Sequence, residues 1–198
     1  DRLNSSAILQ EIVDYYQTDN IDSVKKYADI LRDLGRKNSD LIVEQLSTLK
    51  WARALAYFNH SDSAEHILSG MDVEETPSLS IEHSLVAGLL NRNRRNYDVS
   101  LTNFYEALAT IRQQNLNRML PFVYAEIAHI LTQNNDLENT KKYYLYAFSE
   151  AQKNKDFKLL VNICYRLCRI YNGGIIVNLD SSIHYGEWGM RIAKEAVY

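Results

Sequence analysis

Residues 88–108, GLLNRNRRNYDVSLTNFYEAL, decide the fold. They open on a small residue, Gly88, and cross a polar junction at Asn96-Tyr97. Beyond it Leu101, Phe104, Ala107, Leu108 and Ile111 recur at the three- and four-residue spacing of one helix face. The stretch 128–148, AHILTQNNDLENTKKYYLYAF, repeats the arrangement, with Ala128, Asp136-Leu137, Thr140, Tyr144 and Ala147-Phe148 at the same offsets. The repeat extends outward in both directions. Apolar or small residues stand at Ile12, Ala52, Gly88, Ala128 and Cys168, at steps of 40, 36, 40 and 40 residues. A period of this length is the signature of stacked helix pairs.

A second register marks where each partner helix opens: Asn20-Ile21, His60-Ser61, Asn96-Tyr97, Asn135-Asp136-Leu137 and Asn178-Leu179-Asp180. Asn, Asp and Ser favour helix starts because their side chains accept hydrogen bonds from the first, otherwise unpaired, backbone N–H groups. The pattern predicts five pairs: 3–17 with 20–34, 39–58 with 62–70, 78–93 with 97–114, 119–133 with 137–153, and 157–172 with 180–196. Gly35 and Gly70 read as helix stops, Asp62 with Glu65 as a capping box, and Thr76-Pro77 as a helix start. The expected fold is all-α, one domain over 1–198 with repeats at 3–36, 39–71, 78–115, 118–154 and 157–197. No single pair can close its own core, so stacking should produce a right-handed or gently curved α-solenoid.

Composition agrees. Seven Gly and two Pro in 198 residues leave few chain breakers, and 46% hydrophobic content supports a real core. Lys and Arg number 22 against 25 Asp and Glu, a net charge of -3 that argues for neither nucleic acid nor an anionic membrane as partner. The basic run Arg92-Asn93-Arg94-Arg95 sits at a helix C-terminus, where cations complement the helix dipole. No apolar stretch approaches the roughly 18 residues of a membrane span. The opening Asp1-Arg2-Leu3-Asn4 has neither Met nor an apolar signal core, so the chain reads as part of a longer protein, and compartment is left open.

The segment 80–153 resembles the tetratricopeptide repeat family, on Gly88, Ser100-Leu101, Phe104 and Ala107-Leu108, and again on Ala128, Thr140, Tyr144 and Ala147-Phe148. In repeat 1, Ile12 and Leu31 replace the usual small residues, and repeat 2 uses Leu68 at the aromatic packing position. The spacing of 40, against about 34 in the common repeat, resembles the longer bacterial variants. The resemblance implies a noncatalytic protein- or peptide-binding scaffold, the sensor or adaptor region of a bacterial regulatory or envelope protein. Its concave groove would be lined by the first helix of each pair. That places Tyr16, Arg53, Tyr57, Arg92, Asn93, Phe122, His129, Gln133, Asn162, Tyr165 and Arg169 in the groove, beside Leu9, Val13, Leu49, Ala56, Leu85, Leu89 and Ala125. Its aromatics would supply area and its arginines would pair a ligand carboxylate. The family's clamp for chaperone tails needs Lys and Asn, then Lys and Arg, where this chain has Leu49/Arg53, Leu85/Leu89, Ala125/His129 and Tyr165/Arg169. Chaperone tails are therefore not expected as ligands. The alternative is a structural or self-association module that acts through the apolar loop 173–177 or the C-terminal helix.

Signals for chemistry are weak. The five His are scattered, with no metal-ligand spacing and no Gly-rich phosphate loop, so no metal, cofactor or catalytic centre is expected. Glu126 and His129, three apart, read as a surface pair. Cys164 and Cys168, four apart on one helix, read as paired buried thiols, not a disulfide.

Overall fold

The computed structural model describes residues 2–71, 76–173 and 177–195, with side chains from Ser5 onward. Among the described residues the chain is all-α: α1 (Arg2–Tyr16), α2 (Ile21–Lys37), α3 (Leu41–Tyr57), α4 (Ser61–Ser69), α5 (Pro77–Asn93), α6 (Tyr97–Gln113), α7 (Leu120–Gln133), α8 (Leu137–Asn154), α9 (Phe157–Gly173) and α10 (Leu179–Glu195). A 3-10 turn, Asn117–Met119, leads into α7. These bounds follow the five expected pairs to within about a turn at each end.

One turn geometry repeats down the chain. Ser39, Asn59, Arg95, Asn115, Asn135 and Lys155 all take left-handed backbone, with φ between 55° and 67°. The next residue then returns its N–H to a carbonyl five residues back: Asp40 to Gly35, His60 to Leu55, Asn96 to Asn91, Leu116 to Ile111, Asp136 to Leu131 and Asp156 to Ala151. This closure satisfies carbonyls that the helix end leaves open. The residue after the left-handed one frequently starts the next helix: Asp40 accepts from the Val43 N–H, Asp136 from Asn139 and Asp156 from Leu159. Asn20 and Asn178 cap α2 and α10 in the same way, accepting from Ser23 and Ser181. The irregular step of 36 between Ala52 and Gly88 coincides with α4, which has nine residues where α3 and α5 have 17.

Two local expectations are corrected. Gly35 is not a stop; it lies within α2, buried against α3, where an added Cβ would stand 2.8 Å from the Glu44 nitrogen. Glycine is there for close approach of two backbones. No capping box forms at α4, whose N-cap is His60 without a side-chain bond. By contrast Gly70 does end α4, and Thr76-Pro77 starts α5 with proline in the first turn.

The chain divides into two compact units, Asp1–Thr110 and Ile111–Tyr198. In the first, α1, α3 and α5 touch in succession as the first helices of consecutive pairs, while α2 and α4 pack beside them. Val13, Val24, Ala28 and Ala54 form one core cluster, and Leu46, Leu49 and Leu79 another, against which Leu68 packs. Gly88 admits the ring of Phe104, since an added Cβ would stand 3.0 Å from it, and the buried Ser100 hydroxyl donates to the Gly88 carbonyl at 2.7 Å. In the second unit α7 packs on α8, α8 on α9 and α9 on α10, with α7 also reaching α9. Gly189 lets α10 cross α9 closely, where a Cβ would meet Cys164 at 3.0 Å.

The partner-helix positions opposite the register residues, Val24, Ala64, Ser100, Thr140 and Ser182, are all buried. The repeat read from spacing is thus a repeat of packing.

Both thiols are free. Cys164 is buried, and burial pushes its pKa up to about 11, so it stays protonated. Cys168 is only half-buried, with its sulfur 3.3 Å from the Ser182 hydroxyl, so the pair is less enclosed than expected. No described helix is long and apolar enough to cross a membrane. The apolar run at 174–176 within loop 173–177 lies outside the described residues; of its flanks, Val177 is exposed.

Candidate ligand-binding site

Helix α3, LIVEQLSTLKWARALAY, carries two cations in its mostly apolar C-terminal half. Lys50 and Arg53, one turn apart, share a face and are almost fully buried, which charged groups tolerate only when paired. Their partners come from both neighbouring first helices. Asp14 of α1 accepts from Lys50 Nζ at 2.5 Å and from Arg53 at 2.6 Å, and Glu82 of α5 accepts from Arg53 at 3.0 Å with Lys50 Nζ at 3.3 Å. Two cations thus meet two carboxylates. Partial desolvation by the surrounding helices opposes ionisation of Asp14, which keeps one side open to water, but the charges of Lys50 and Arg53 and the bonds they donate hold its carboxyl below the usual value. Burial likewise disfavours the Arg53 cation, and Glu82 and Asp14 outweigh that and raise its pKa. Arg53 is therefore not an open groove arginine. The carboxylates that the groove was expected to receive from a ligand are supplied there by the chain itself.

The other groove residues of the first unit are also engaged. Tyr16 stacks on Tyr27 with centroids 5.8 Å apart and planes at 5°, packed against the Val13 cluster. Asn93 donates to the Ala56 carbonyl at 2.7 Å and to the Ser61 hydroxyl at 3.1 Å, tying the end of α5 to the α3–α4 turn. Arg92 lies 5.8 Å over the Tyr57 ring and donates to the Asn93 side chain at 3.1 Å. Arg94 pairs with Glu65, which gives part of the basic run a local counter-charge. Tyr57, Arg92 and Asn93 form one half-buried cluster, and Arg53 is held by Asp14 and Glu82.

In the second unit three predicted residues, His129, Gln133 and Arg169, converge on a cleft of about 400 Å³ bounded by α7, α8 and α9. Thr132, Leu137, Tyr144, Arg166, Ile170, Asn172 and Gly173 complete its wall. Tyr144, mostly enclosed, has its phenol pushed up to about 12 by burial, against the opposing charges of Arg166 and Arg169 and a bond with Thr132, and with Glu126 adding to the rise. The hydroxyl thus keeps its proton at neutral pH. Asn162 and Tyr165 are exposed elsewhere on α9, with the Arg169 guanidinium 5.8 Å over the Tyr165 ring, and Phe122 is half-buried on α7. Glu126, expected at the surface, is buried.

Sequence reading missed Asp14, Lys50 and Glu82 in the first unit and Thr132, Tyr144, Arg166 and Asn172 in the second. For the first group a signal was present, since Lys50 and Arg53 interrupt the mostly apolar half of α3 and demand counter-charges. For the second, the register itself points to Arg166, two residues before Cys168 as Lys50 is two before Ala52. Among the described residues no group of three or more His, Cys, Asp or Glu is placed to hold a metal ion.

Comparison with known proteins adds to the fold alone. No family model matches the chain, and no curated protein matches it. Among solved structures the chain is similar to the crystal structure of BtubC (BKLC) from P. vanneervenii, at 15% identity and a TM-score of 0.54 over 98% of this chain and 74% of that one. The likeness extends over nearly the full length and concerns the all-α fold of paired helices alone.

Proposed function

We propose that the chain is a noncatalytic protein- or peptide-binding scaffold of the tetratricopeptide type. The observation that carries the reading is the cleft of the second unit. Side chains from two consecutive first helices, α7 and α9, converge there on a recess whose largely apolar wall carries two guanidiniums, with an exposed aromatic, Tyr165, on the same α9. A recess of this size, with few charged groups and several neutral donors, suits capture of a ligand side chain or terminus. The family resemblance supports the peptide class of ligand and a sensor or adaptor role in a bacterial regulatory or envelope protein. The test is selection of peptides from a displayed random library on the folded chain, followed by mapping of the selected peptide by NMR. Shifts confined to α7 and α9 support the reading. Selected peptides that map to other helices, or no selected peptide, refute it.

A second reading, self-association, is favoured by one feature. On α10, Leu179, Ile183 and Met190 are 59%, 58% and 61% exposed and share one face. Sedimentation of the chain and of the Ile183→Glu, Met190→Glu double variant separates the two: a dimer that the substitutions dissolve supports self-association, and a monomer in both cases rejects it.

A further inference from the structure

The repeat register places two cations at the same positions in repeats 2 and 5. Lys50 and Arg53 flank Ala52 at two before and one after, and Arg166 and Arg169 flank Cys168 identically. In repeat 2 the pair is nearly fully buried and neutralised by Asp14 and Glu82. In repeat 5 the pair lines an open cleft whose wall includes no carboxylate. Asp14 stands two residues after the register residue Ile12; two residues after Ala128 the chain has Ile130. The preceding first helix, which supplies an anion in repeat 2, has an aliphatic side chain at that place in repeat 4.

We infer that the cleft between α7, α8 and α9 is an oxyanion-binding subsite, in which Arg166 and Arg169 take the carboxylate or phosphate group that Asp14 and Glu82 provide internally to Lys50 and Arg53. The site has the remaining chemistry for this role. Gln133, Asn172 and the protonated Tyr144 bring neutral donors to the same wall, and His129 adds a ring nitrogen, while the Thr132 hydroxyl beside them donates to the Ala128 carbonyl. Two guanidiniums one helical turn apart offer forked donors that match the two oxygens of a carboxylate or the three of a phosphate. Among the described residues neither Arg166 nor Arg169 forms an ion pair. The nearby Glu126 is buried on α7 and contributes no atom to the wall. The inference rests on the peptide-binding reading only for the source of the anion, which is an acidic side chain or chain end of a bound peptide; a free small anion would have the same chemistry.

The test is titration of the folded chain with inorganic phosphate, with succinate and with a hexaglutamate peptide, at constant ionic strength, following the arginine Nε–Hε signals by NMR. Saturable shifts of Arg166 and Arg169 are expected. Arg166→Gln and Arg169→Gln should each weaken binding about tenfold or more, the scale of a lost charge-assisted bond, while Arg191→Gln, on the exposed part of α10, should not. Arg166→Lys and Arg169→Lys keep the charge but lose the fork, and should weaken binding to an intermediate degree even if the glutamine variants do not fold. Binding of phosphate and succinate without the peptide upholds the subsite and removes the peptide reading. Binding of the peptide alone upholds both. No saturable binding of any of the three, or an equal loss in Arg191→Gln, overturns the inference.

Discussion

The buried quartet of the first unit gives the sharpest energetic prediction, and Glu82→Gln is the perturbation. The substitution keeps the side chain's shape and removes its charge, leaving Lys50 and Arg53 enclosed with one of the quartet's two carboxylates, Asp14. At an effective dielectric of about 20, one ion pair at the 3.0 Å of Arg53 and Glu82 is worth roughly 5 kcal/mol before solvation is counted. Part of that is returned because a buried carboxylate no longer needs desolvating. The net loss expected for breaking a buried pair from one side is about 3–5 kcal/mol. Asp14→Asn removes the same formal charge, but the Asp14 side chain is 44% exposed, against 2% for Glu82, so water replaces much of what is lost.

Urea unfolding followed by circular dichroism at 222 nm reads both values. Glu82→Gln should lower the midpoint strongly and Asp14→Asn only slightly, with unchanged slopes. A loss below about 1 kcal/mol for Glu82→Gln, or the reverse order of the two variants, would falsify the view that paired burial governs this site. Acid adds a second readout. The folded pKa of Asp14 is depressed, so its contribution is present above the unfolded value near 3.8 and fades as pH falls through the lower folded value. Asp14→Asn should therefore flatten the stability profile below about pH 4 and leave it unchanged near neutrality apart from a constant offset.

Three further outcomes follow from local geometry. Gly35→Ala places a Cβ 2.8 Å from the Glu44 backbone nitrogen, and overpacking against backbone should destabilise by about 1–3 kcal/mol despite alanine's better helix propensity, measured as a loss of thermal midpoint. Lys155→Gly removes a side chain from left-handed backbone at φ 55° and should stabilise by roughly 0.5–1 kcal/mol in urea unfolding; a destabilised variant refutes the assigned turn. The Tyr144 phenol, raised to about 12, should ionise well above an ordinary phenol in an absorbance titration at 295 nm, and Tyr144→Phe should remove that late step. Because its folded pKa is raised, its stabilisation is complete below the unfolded value of about 10 and lost as pH climbs through 12, and Tyr144→Phe should remove that alkaline loss.

The helix pairs were legible because their causes are local. Asn20, Asp136 and Asn178 announce helix starts by side chains that accept from N–H groups three residues on, and the small residues Gly88 and Ala128 announce crossings. The turns were half legible. Ser39, Arg95 and Lys155 show no preference for left-handed backbone that would mark them in sequence, so the turn was visible only through the capping residue that follows. Gly35 was misread for a related reason: glycine serves a helix end and a close crossing equally well, and only the position of Glu44 on α3, far from it in pattern though near in chain, separates the two uses.

The site was less legible because side-chain direction on a first helix has two outlets. A cation placed between neighbouring first helices can face a groove or be closed by its neighbours, and its own helix does not decide between them. What decides is the residue at the matching place one repeat away. Asp14 and Glu82 close the cation pair of α3, while Ile130 leaves the pair of α9 without that counter-charge on α7. Placing a carboxylate of α7 on the cleft wall itself, Gln133→Glu, should therefore reproduce in the second unit the internal neutralisation seen in the first. The variant should bind inorganic phosphate at least about tenfold more weakly, as expected when a charge-assisted bond is occupied internally. Undiminished phosphate binding by a folded Gln133→Glu chain would show that the arginine pair of α9 does not hold the anion.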